Sequence, residues 1–108
     1  MLSKKKLDII IPVFNEGDII IDTLKSIQDN FLYRYNVLIC YDFDNDNTLS
    51  KIKQSRLFLD NIFFIKNNYK GAHGAVMSGI EKSKSDHVLV LPADDDYNTV
   101  NLNYMYKK

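Results

Sequence analysis

The sequence predicts an α/β fold in which four short strands alternate with three helices, βαβαβαβ, around a mainly parallel sheet. Four apolar runs rich in β-branched and aromatic residues are separated by segments with helical spacing, and three of these runs are nearly continuous. Continuous runs suit strands buried on both faces of a sheet. Alternation of strands and helices implies right-handed crossovers with helices on both faces. The length of 108 residues predicts one domain, 1–108.

The four predicted strands are short and share a β-branched or aromatic composition. They are Leu7–Val13, Asn36–Tyr41, Ile62–Ile65 and Val88–Leu91. Cys40 falls within the second run, where we expect an inert core residue. His87 opens the fourth run and is expected to be structural.

Helical spacing separates the strands. The first helix is predicted from apolar residues spaced four, three and four apart, which make an amphipathic face about three turns long: Ile20, Leu24, Ile27 and Phe31. Thr48 is predicted to cap the second helix, whose face is Leu49, Ile52 and Arg56. The third helix is predicted from a face of mostly small residues, Ala72, Val76, Gly79, Ile80 and Ser83.

Composition and charge exclude several classes of protein. With 45% hydrophobic and 26% charged residues, the chain is neither disordered nor collagen-like. Fourteen basic and fourteen acidic residues give a net charge of zero, and we expect no nucleic-acid partner. The lone Cys40 forms no internal disulfide, and no apolar run approaches the roughly 18 residues of a membrane span. We expect a cytoplasmic protein, or one held at the cytoplasmic face of a membrane.

Polar residues cluster after each predicted strand, in segments 12–16, 42–48, 67–74 and 92–98. Ligands of open parallel sheets bind outside the carboxyl ends of the strands, so the four clusters share one expected edge. The last cluster holds Asp94, Asp95 and Asp96. Their mutual repulsion is offset by a hard divalent cation, and Asp94 and Asp96 can point the same way in a turn. The alternative is a solvated acidic turn in which an Asp caps a following helix.

The other clusters carry candidate ligand contacts together with simpler alternatives. The Asp42 carboxylate can accept hydrogen bonds from a base or a ribose, whereas Asp44 and Asp46 suit turns and helix caps equally well. Phe14 can stack on a base or pack under its loop, and Glu16 near a helix start is also favoured by the helix dipole. Lys70, beside Gly71 and Gly74, suits either a diphosphate or a plain helix entry.

Four motifs occur in order, one at the end of each strand. Residues 11–16, Ile-Pro-Val-Phe-Asn-Glu, match I-P-x-[YF]-N-E. Residues 41–48 are similar to D-D-G-S-x-D-x-T, with Tyr41, Phe43 and Asp44 replacing the first Asp, the Gly and the Ser. Lys70-Gly71 with Ala75 and Gly79 is similar to K-G-x-G-x-A-x-x-x-G, and residues 92–94 fall on D-x-D with Pro92 for the first Asp. Together these motifs resemble the N-terminal part of family 2 glycosyltransferases of the GT-A fold, in particular the dolichol- and polyprenyl-phosphate sugar transferases.

The resemblance implies a Rossmann-like nucleotide-binding half and a donor site for a UDP- or GDP-sugar. The nucleotide-sugar contacts that it implies are Pro12, Phe14, Glu16, Asp42, Lys70 and Asp95. The metal ligands that it implies are Asp94 and Asp96, holding Mg²⁺ or Mn²⁺ against the diphosphate. The implied activity is transfer of a sugar to a lipid-phosphate or saccharide acceptor.

Members of the family are longer, and their next segment supplies the acceptor pocket and the general base. We therefore expect a truncated donor half that is inactive alone, in which no catalytic residue is assigned. Its unpaired sheet edge could also support self-association. One alternative is a non-catalytic nucleotide-binding or oligomerising remnant of the same fold. A weaker alternative is a receiver-type, Mg²⁺-dependent signalling domain. Such a domain needs an acid pair after the first strand, where this sequence has only Glu16. It also needs an Asp after the third strand, where this sequence has Asn67-Asn68.

Overall fold

The computed structural model describes residues 7–30, 34–55, 61–67, 71–83 and 87–93, without the side chains of 71–73. In chain order the elements alternate between strand and helix: β1 Leu7–Pro12, α1 Gly17–Asn30, β2 Tyr35–Tyr41, α2 Asn47–Gln54, β3 Ile62–Lys66, α3 Gly71–Lys82 and β4 His87–Val90. The four strands form one sheet in the order β3-β2-β1-β4, and every neighbouring pair is parallel. The predicted α/β alternation and parallel sheet are confirmed.

One face of the sheet is covered by α1 and α2. Side chains at alternate positions of β1 and β2, such as Ile9 and Ile39, are buried there against Ile20 of α1 and Ile52 of α2. Each of these side chains is 0% exposed, so this face supplies most of the apolar burial that stabilises the fold. Successive side chains of β1 point to opposite faces of the sheet, and both faces are buried along this strand. This explains why β1 is apolar at nearly every position.

The opposite face of the sheet packs on α3, where Ile10, Leu38 and Cys40 contact Ala75. A Cβ atom at Gly79 would lie 2.9 Å from Ile10 Cγ2 and 3.0 Å from the Cys40 sulfur, closer than normal packing allows. The absence of a side chain at Gly79 therefore lets α3 approach the sheet. Cys40 is a core residue as predicted, and its burial raises the pKa of the thiol to about 12.

Several local predictions are corrected by the structure. Helix α1 has 14 residues, nearly four turns rather than about three. In α3, Val76 is only half-buried, Ile80 is 45% exposed, and Ser83 lies beyond the helix end; Ser78 is buried instead. The prediction that strands are buried on both faces holds for β1 but fails for β4, whose Val88 and Val90 are exposed. Phe31 and Arg56 lie outside the described residues.

The order in which the chain adds strands to the sheet reverses beside β1. From β1 the chain proceeds outward through β2 to β3, and then returns to put β4 on the other side of β1. Crevices at such reversals, beyond the carboxyl ends of the strands, are where open α/β sheets bind ligands. The carboxyl edge beside β1 is therefore the part of the fold to examine for a site.

Candidate functional site

The loop after β1 presents an exposed aromatic side chain at the carboxyl edge. The backbone N–H of Val13 donates to the Cys40 carbonyl at 2.9 Å, which extends the β1–β2 pairing to the start of this loop. Phe14 follows and is 64% exposed. Its ring meets the ring of Phe43, from the loop after β2, edge to face at 5.4 Å between centroids. The two loops thus present one aromatic surface to solvent.

The backbone of the β1 loop is held by side chains from the start of α2. Asn15 has φ of 52°, in the left-handed region that Asn tolerates. Three successive backbone N–H groups each donate to a different side chain: Asn15 to Asp46 Oδ2 at 3.0 Å, Glu16 to Thr48 Oγ1 at 2.8 Å, and Gly17 to Asn47 Oδ1 at 2.8 Å. These contacts, which we call the loop clamp, join residues some thirty positions apart and fix how Phe14 and Glu16 leave β1.

The structure corrects the predicted cap of the second helix. Asp46, not Thr48, is the N-cap of α2, because its Oδ1 accepts a 2.7 Å hydrogen bond from the Thr48 backbone N–H. The Asp46 carboxylate is 1% exposed and uses both oxygens, one for this cap and one for the loop clamp. The Thr48 hydroxyl serves the clamp instead. Sequence alone could not separate these roles, since Asp and Thr both suit a cap.

Gly17 is required by the close approach of α1 to α2. A Cβ there would lie 2.9 Å from Asn47 Oδ1 and 2.9 Å from Lys51 Cγ. Asn47 in turn donates its backbone N–H to Asn15 Oδ1 at 3.1 Å. Asn47 therefore both accepts a hydrogen bond from the segment after β1 and donates one to it.

Asp42 lies directly after β2 and is half-buried. Its Oδ1 accepts a hydrogen bond of 2.5 Å from the side-chain amide of Asn67, the residue that follows β3. Asn67 Oδ1 accepts from the Ser78 hydroxyl of α3 at 2.9 Å. A carboxylate on this edge is therefore connected through one amide to the helix behind the sheet. From the sequence, Asn67 is only the first residue of the polar cluster after the third strand, and the spacing of Ser78 indicates no role.

Asp44 occupies the exposed part of the same loop. Its carboxylate accepts a hydrogen bond of 2.7 Å from the Lys66 ammonium, and the two side chains are 83% and 47% exposed. The hydrogen bond from Lys66 to Asp44 raises the pKa of Lys66. Exposed pairs of this kind contribute little to stability. The Lys66 ammonium also lies 5.7 Å from the centre of the Tyr41 ring.

The segment after β4 is anchored to α1 by a buried hydrogen bond. The Thr23 hydroxyl, 1% exposed, donates to the Ala93 carbonyl at 2.5 Å. Leu91 continues the pairing with β1 through its N–H, which donates to the Ile10 carbonyl at 2.9 Å. Ala93 is itself buried, so the chain is fixed up to the residue before Asp94.

Half of the predicted site residues lie at this carboxyl edge. Pro12 ends β1, Phe14 and Glu16 belong to its loop, and Asp42 follows β2. The others lie outside the described residues: Lys70, Asp94, Asp95 and Asp96. Within the described ranges, no group of three or more His, Cys, Asp or Glu side chains is arranged to hold a metal ion. The cation site predicted at Asp94 and Asp96 lies outside these ranges and stays a prediction.

None of the described helices is both long and apolar enough to cross a bilayer.

A family model for Glycosyl transferase family 2 matches residues 8–108, which is nearly the whole chain. Among curated proteins, the chain is 34% identical over 101 residues to the Escherichia coli UDP-Glc:alpha-D-GlcNAc-diphosphoundecaprenol beta-1,3-glucosyltransferase WfaP. That alignment covers 90% of this chain and 38% of WfaP. The chain spans about a third of the length of the curated relatives that it matches.

Solved structures of glycosyltransferases share the fold at low sequence identity. Residues 1–349 of Staphylococcus aureus TarS superpose with a TM-score of 0.74 at 20% identity, covering 94% of this chain and 32% of that one. The Pyrobaculum calidifontis mannosyltransferase PcManGT, in complex with GDP-Man and Mn²⁺, gives 0.70 at 16% identity, with coverages of 95% and 33%. These similarities confirm the expected fold. With its motif order, its sheet and the match over residues 8–108, the chain belongs to glycosyl transferase family 2.

Proposed function

We propose that residues 1–108 are the donor-binding part of a glycosyltransferase domain that uses a nucleoside-diphosphate sugar. The observation that carries the proposal is the geometry of the carboxyl edge, where Asp42 and the Phe14–Phe43 surface lie on adjoining loops. An aromatic face stacks on a nucleobase, and a fixed carboxylate accepts hydrogen bonds from a base N–H or a ribose hydroxyl. Pro12 and Glu16 border the same site.

The diphosphate is proposed to bind with a divalent cation, Mg²⁺ or Mn²⁺. Asp94 and Asp96 are its proposed ligands, and Lys70 and Asp95 the further nucleotide-sugar contacts. When bound, the cation neutralises charge on the departing nucleoside diphosphate. The Mn²⁺ complex of PcManGT with GDP-Man and the complex of TarS with UDP-GlcNAc support a nucleotide-sugar donor and a divalent cation. The hydrogen bond between Thr23 and Ala93 supports a cation at this position further, because it fixes the chain at the residue before Asp94.

The acceptor is proposed to be a lipid-linked phosphate or saccharide at the cytoplasmic face of a membrane. The names of relatives support a lipid-linked acceptor: WfaP acts on a diphosphoundecaprenol-linked sugar, and a Pseudomonas fluorescens relative is an undecaprenyl-phosphate sugar transferase. Such acceptors carry a lipid that remains in the bilayer while the sugar reacts at its surface.

A thermal-shift titration with UDP and GDP, each with Mn²⁺, tests nucleotide binding. At a hundredfold excess over Kd a ligand stabilises the folded state by about 2.7 kcal/mol, which shifts the melting temperature by several degrees in a domain of this size. We expect one of the two nucleotides to give this shift, and Asp94→Ala to abolish it.

The matched control is Asp44→Ala, which removes an exposed acid from the same edge and should keep the full shift. Wild-type protein that melts at the same temperature with and without either nucleotide would refute the proposal.

A further inference from the structure

Asn67 is a buried polar residue at the end of β3, 9% exposed. Its backbone N–H donates to the Tyr41 carbonyl at 2.7 Å, which continues the β2–β3 pairing one residue beyond the strand. The backbone of Asn67 is therefore fixed by the sheet. Its side chain emerges at the carboxyl edge, level with the first residues of the β2 loop.

The two ends of the Asn67 amide contact side chains from different elements, Asp42 after β2 and Ser78 on α3. A carboxylate only accepts hydrogen bonds, so the Asn67 NH₂ group faces Asp42 Oδ1, at 2.5 Å. The amide oxygen is then left to accept from the Ser78 hydroxyl, at 2.9 Å. Ser78 is 0% exposed and stands on α3, which packs firmly against the sheet. The amide thus connects a rigid helix to a half-buried carboxylate at the rim.

Asp42 is held by this connection in one orientation. Only Oδ1 is engaged by Asn67, and a carboxylate has about four lone-pair positions, so acceptor capacity is left for a ligand. A side chain that is already immobilised loses less entropy when it binds. The hydrogen bond to Asn67 therefore prepares Asp42 for a hydrogen-bond donor arriving from solvent.

We propose that Asn67 is a positioning residue for the donor nucleotide: backed by Ser78, it holds Asp42 ready to accept a hydrogen bond from the base or ribose. The proposal rests on the proposed function, since it takes Asp42 as a nucleotide contact. Asn67 acts only through Asp42 and contacts no ligand itself. A purely structural Asn67 would satisfy the buried ends of β3 and α3 and leave nucleotide affinity unchanged.

A double-mutant cycle distinguishes positioning from structure. Affinities for UDP and GDP, each with MnCl₂, are measured by calorimetry on the 108-residue chain for wild type, Asn67→Ala, Asp42→Ala and the double variant. We expect Asn67→Ala to weaken binding roughly three- to tenfold in the wild-type background, as expected for one freed side chain. In the Asp42→Ala background the same change should have no further effect, because no carboxylate remains to be positioned.

Asn61→Ala is the matched control. Asn61 precedes β3 at the opposite edge of the sheet, and its amide donates to the Tyr35 carbonyl at 3.3 Å. The Asn61→Ala substitution therefore removes a side-chain amide of the same size from the same strand pair, and nucleotide affinity should not change. Ser78→Ala supplies a milder second variant should Asn67→Ala fail to fold, and it should weaken binding in the same direction by a smaller factor.

The outcomes separate the two proposals. If wild type binds a nucleotide but Asn67→Ala and Ser78→Ala bind it equally tightly, positioning by Asn67 is refuted while the proposed function stands. An equal loss in the Asp42→Ala background also refutes it, because Asn67 would then act independently of Asp42. If wild type binds neither nucleotide, the proposed function fails and this inference falls with it.

Discussion

The loop between β2 and α2, residues 42–46, has an Asp at each end, and the two differ in what they contact. Asp46, at the α2 end, is 1% exposed and has both oxygens engaged by backbone N–H groups of Asn15 and Thr48. Asp42, at the β2 end, is half-buried, and its partner among the described residues is the side-chain amide of Asn67. The same residue type therefore forms the scaffold at one end and offers acceptor capacity to solvent at the other.

The difference shows how a ligand site is built at the edge of a sheet. The α2 end fixes the neighbouring β1 loop through the loop clamp, so that Phe14 and Glu16 have defined positions. The β2 end is fixed from behind by α3 through Asn67. Hydrogen bonds that hold a site in place before ligand arrives lower the entropic cost of binding.

Removing the Asp46 carboxylate should produce the largest loss of stability. Asp46→Ala deletes the α2 cap and leaves the Asn15 N–H without its partner, which together should cost roughly 2–4 kcal/mol of unfolding free energy. Urea denaturation followed by circular dichroism measures this. Asp44→Ala is the control and should unfold almost as wild type does, because Asp44 is exposed. Equal losses in the two variants would contradict the division of the loop.

A smaller loss is expected across the edge, where Thr23 anchors Ala93. Thr23→Val keeps the shape of the side chain but leaves the buried Ala93 carbonyl without a donor, which should cost about 1–3 kcal/mol. Thr23→Ser restores the hydroxyl and should recover much of that loss in the same urea measurement. If the Val variant were the more stable of the two, the hydrogen bond would not be what anchors this segment.

The smallest effect is expected at Cys40, two residues before Asp42. Burial raises the thiol pKa to about 12 from 9.0, so in the folded protein at pH 8 the thiol should not react with a disulfide reagent. Because the folded-state value is the higher, Cys40 contributes stability below pH 9.0 that is lost as pH rises towards about 12.

Labelling of Cys40 also tests the comparison of the two loop ends. Asp44→Ala should label as slowly as wild type. If labelling requires unfolding, Asp46→Ala should label faster, by a factor of about ten for every 1.4 kcal/mol of lost unfolding free energy. Rapid labelling of the folded wild-type protein would show that the Cys40 thiol is accessible to solvent, which would contradict its burial at the end of β2.

Much of this architecture could be predicted from the sequence, because it depends on local patterns. The strand around Ile9–Ile11 and the helix face of Ile20, Leu24 and Ile27 follow from apolar spacing. The parallel sheet follows from their alternation, and the carboxyl edge as the place for polar clusters follows from the sheet.

The remaining features depend on contacts between residues far apart in the chain. Asp46 and Thr48 are both good helix caps, and only the position of the Asn15 and Glu16 backbone, about thirty residues away, decides which side chain caps and which clamps. The position of Asn67 at the start of a polar cluster could be read from the sequence, but its contacts with Asp42 and Ser78 could not, because only the fold brings these residues together. The predicted α3 face is right at Gly79, which packs against Ile10 and Cys40, but wrong at Ile80, which is exposed. Ala75 and Ser78 are buried instead, because their contacts with the sheet depend on how the helix docks and not on its own spacing.

The most direct test of the account is calorimetric titration of UDP and GDP, each with Mn²⁺, into wild type, Asp42→Asn and Asp44→Asn. Both substitutions keep the side-chain size and remove one charge from the same loop. We predict that wild type and Asp44→Asn bind the same nucleotide equally well. Asp42→Asn should bind about tenfold or more weakly, as expected for loss of a charged hydrogen bond. Binding by Asp42→Asn as tight as that of wild type would contradict the account.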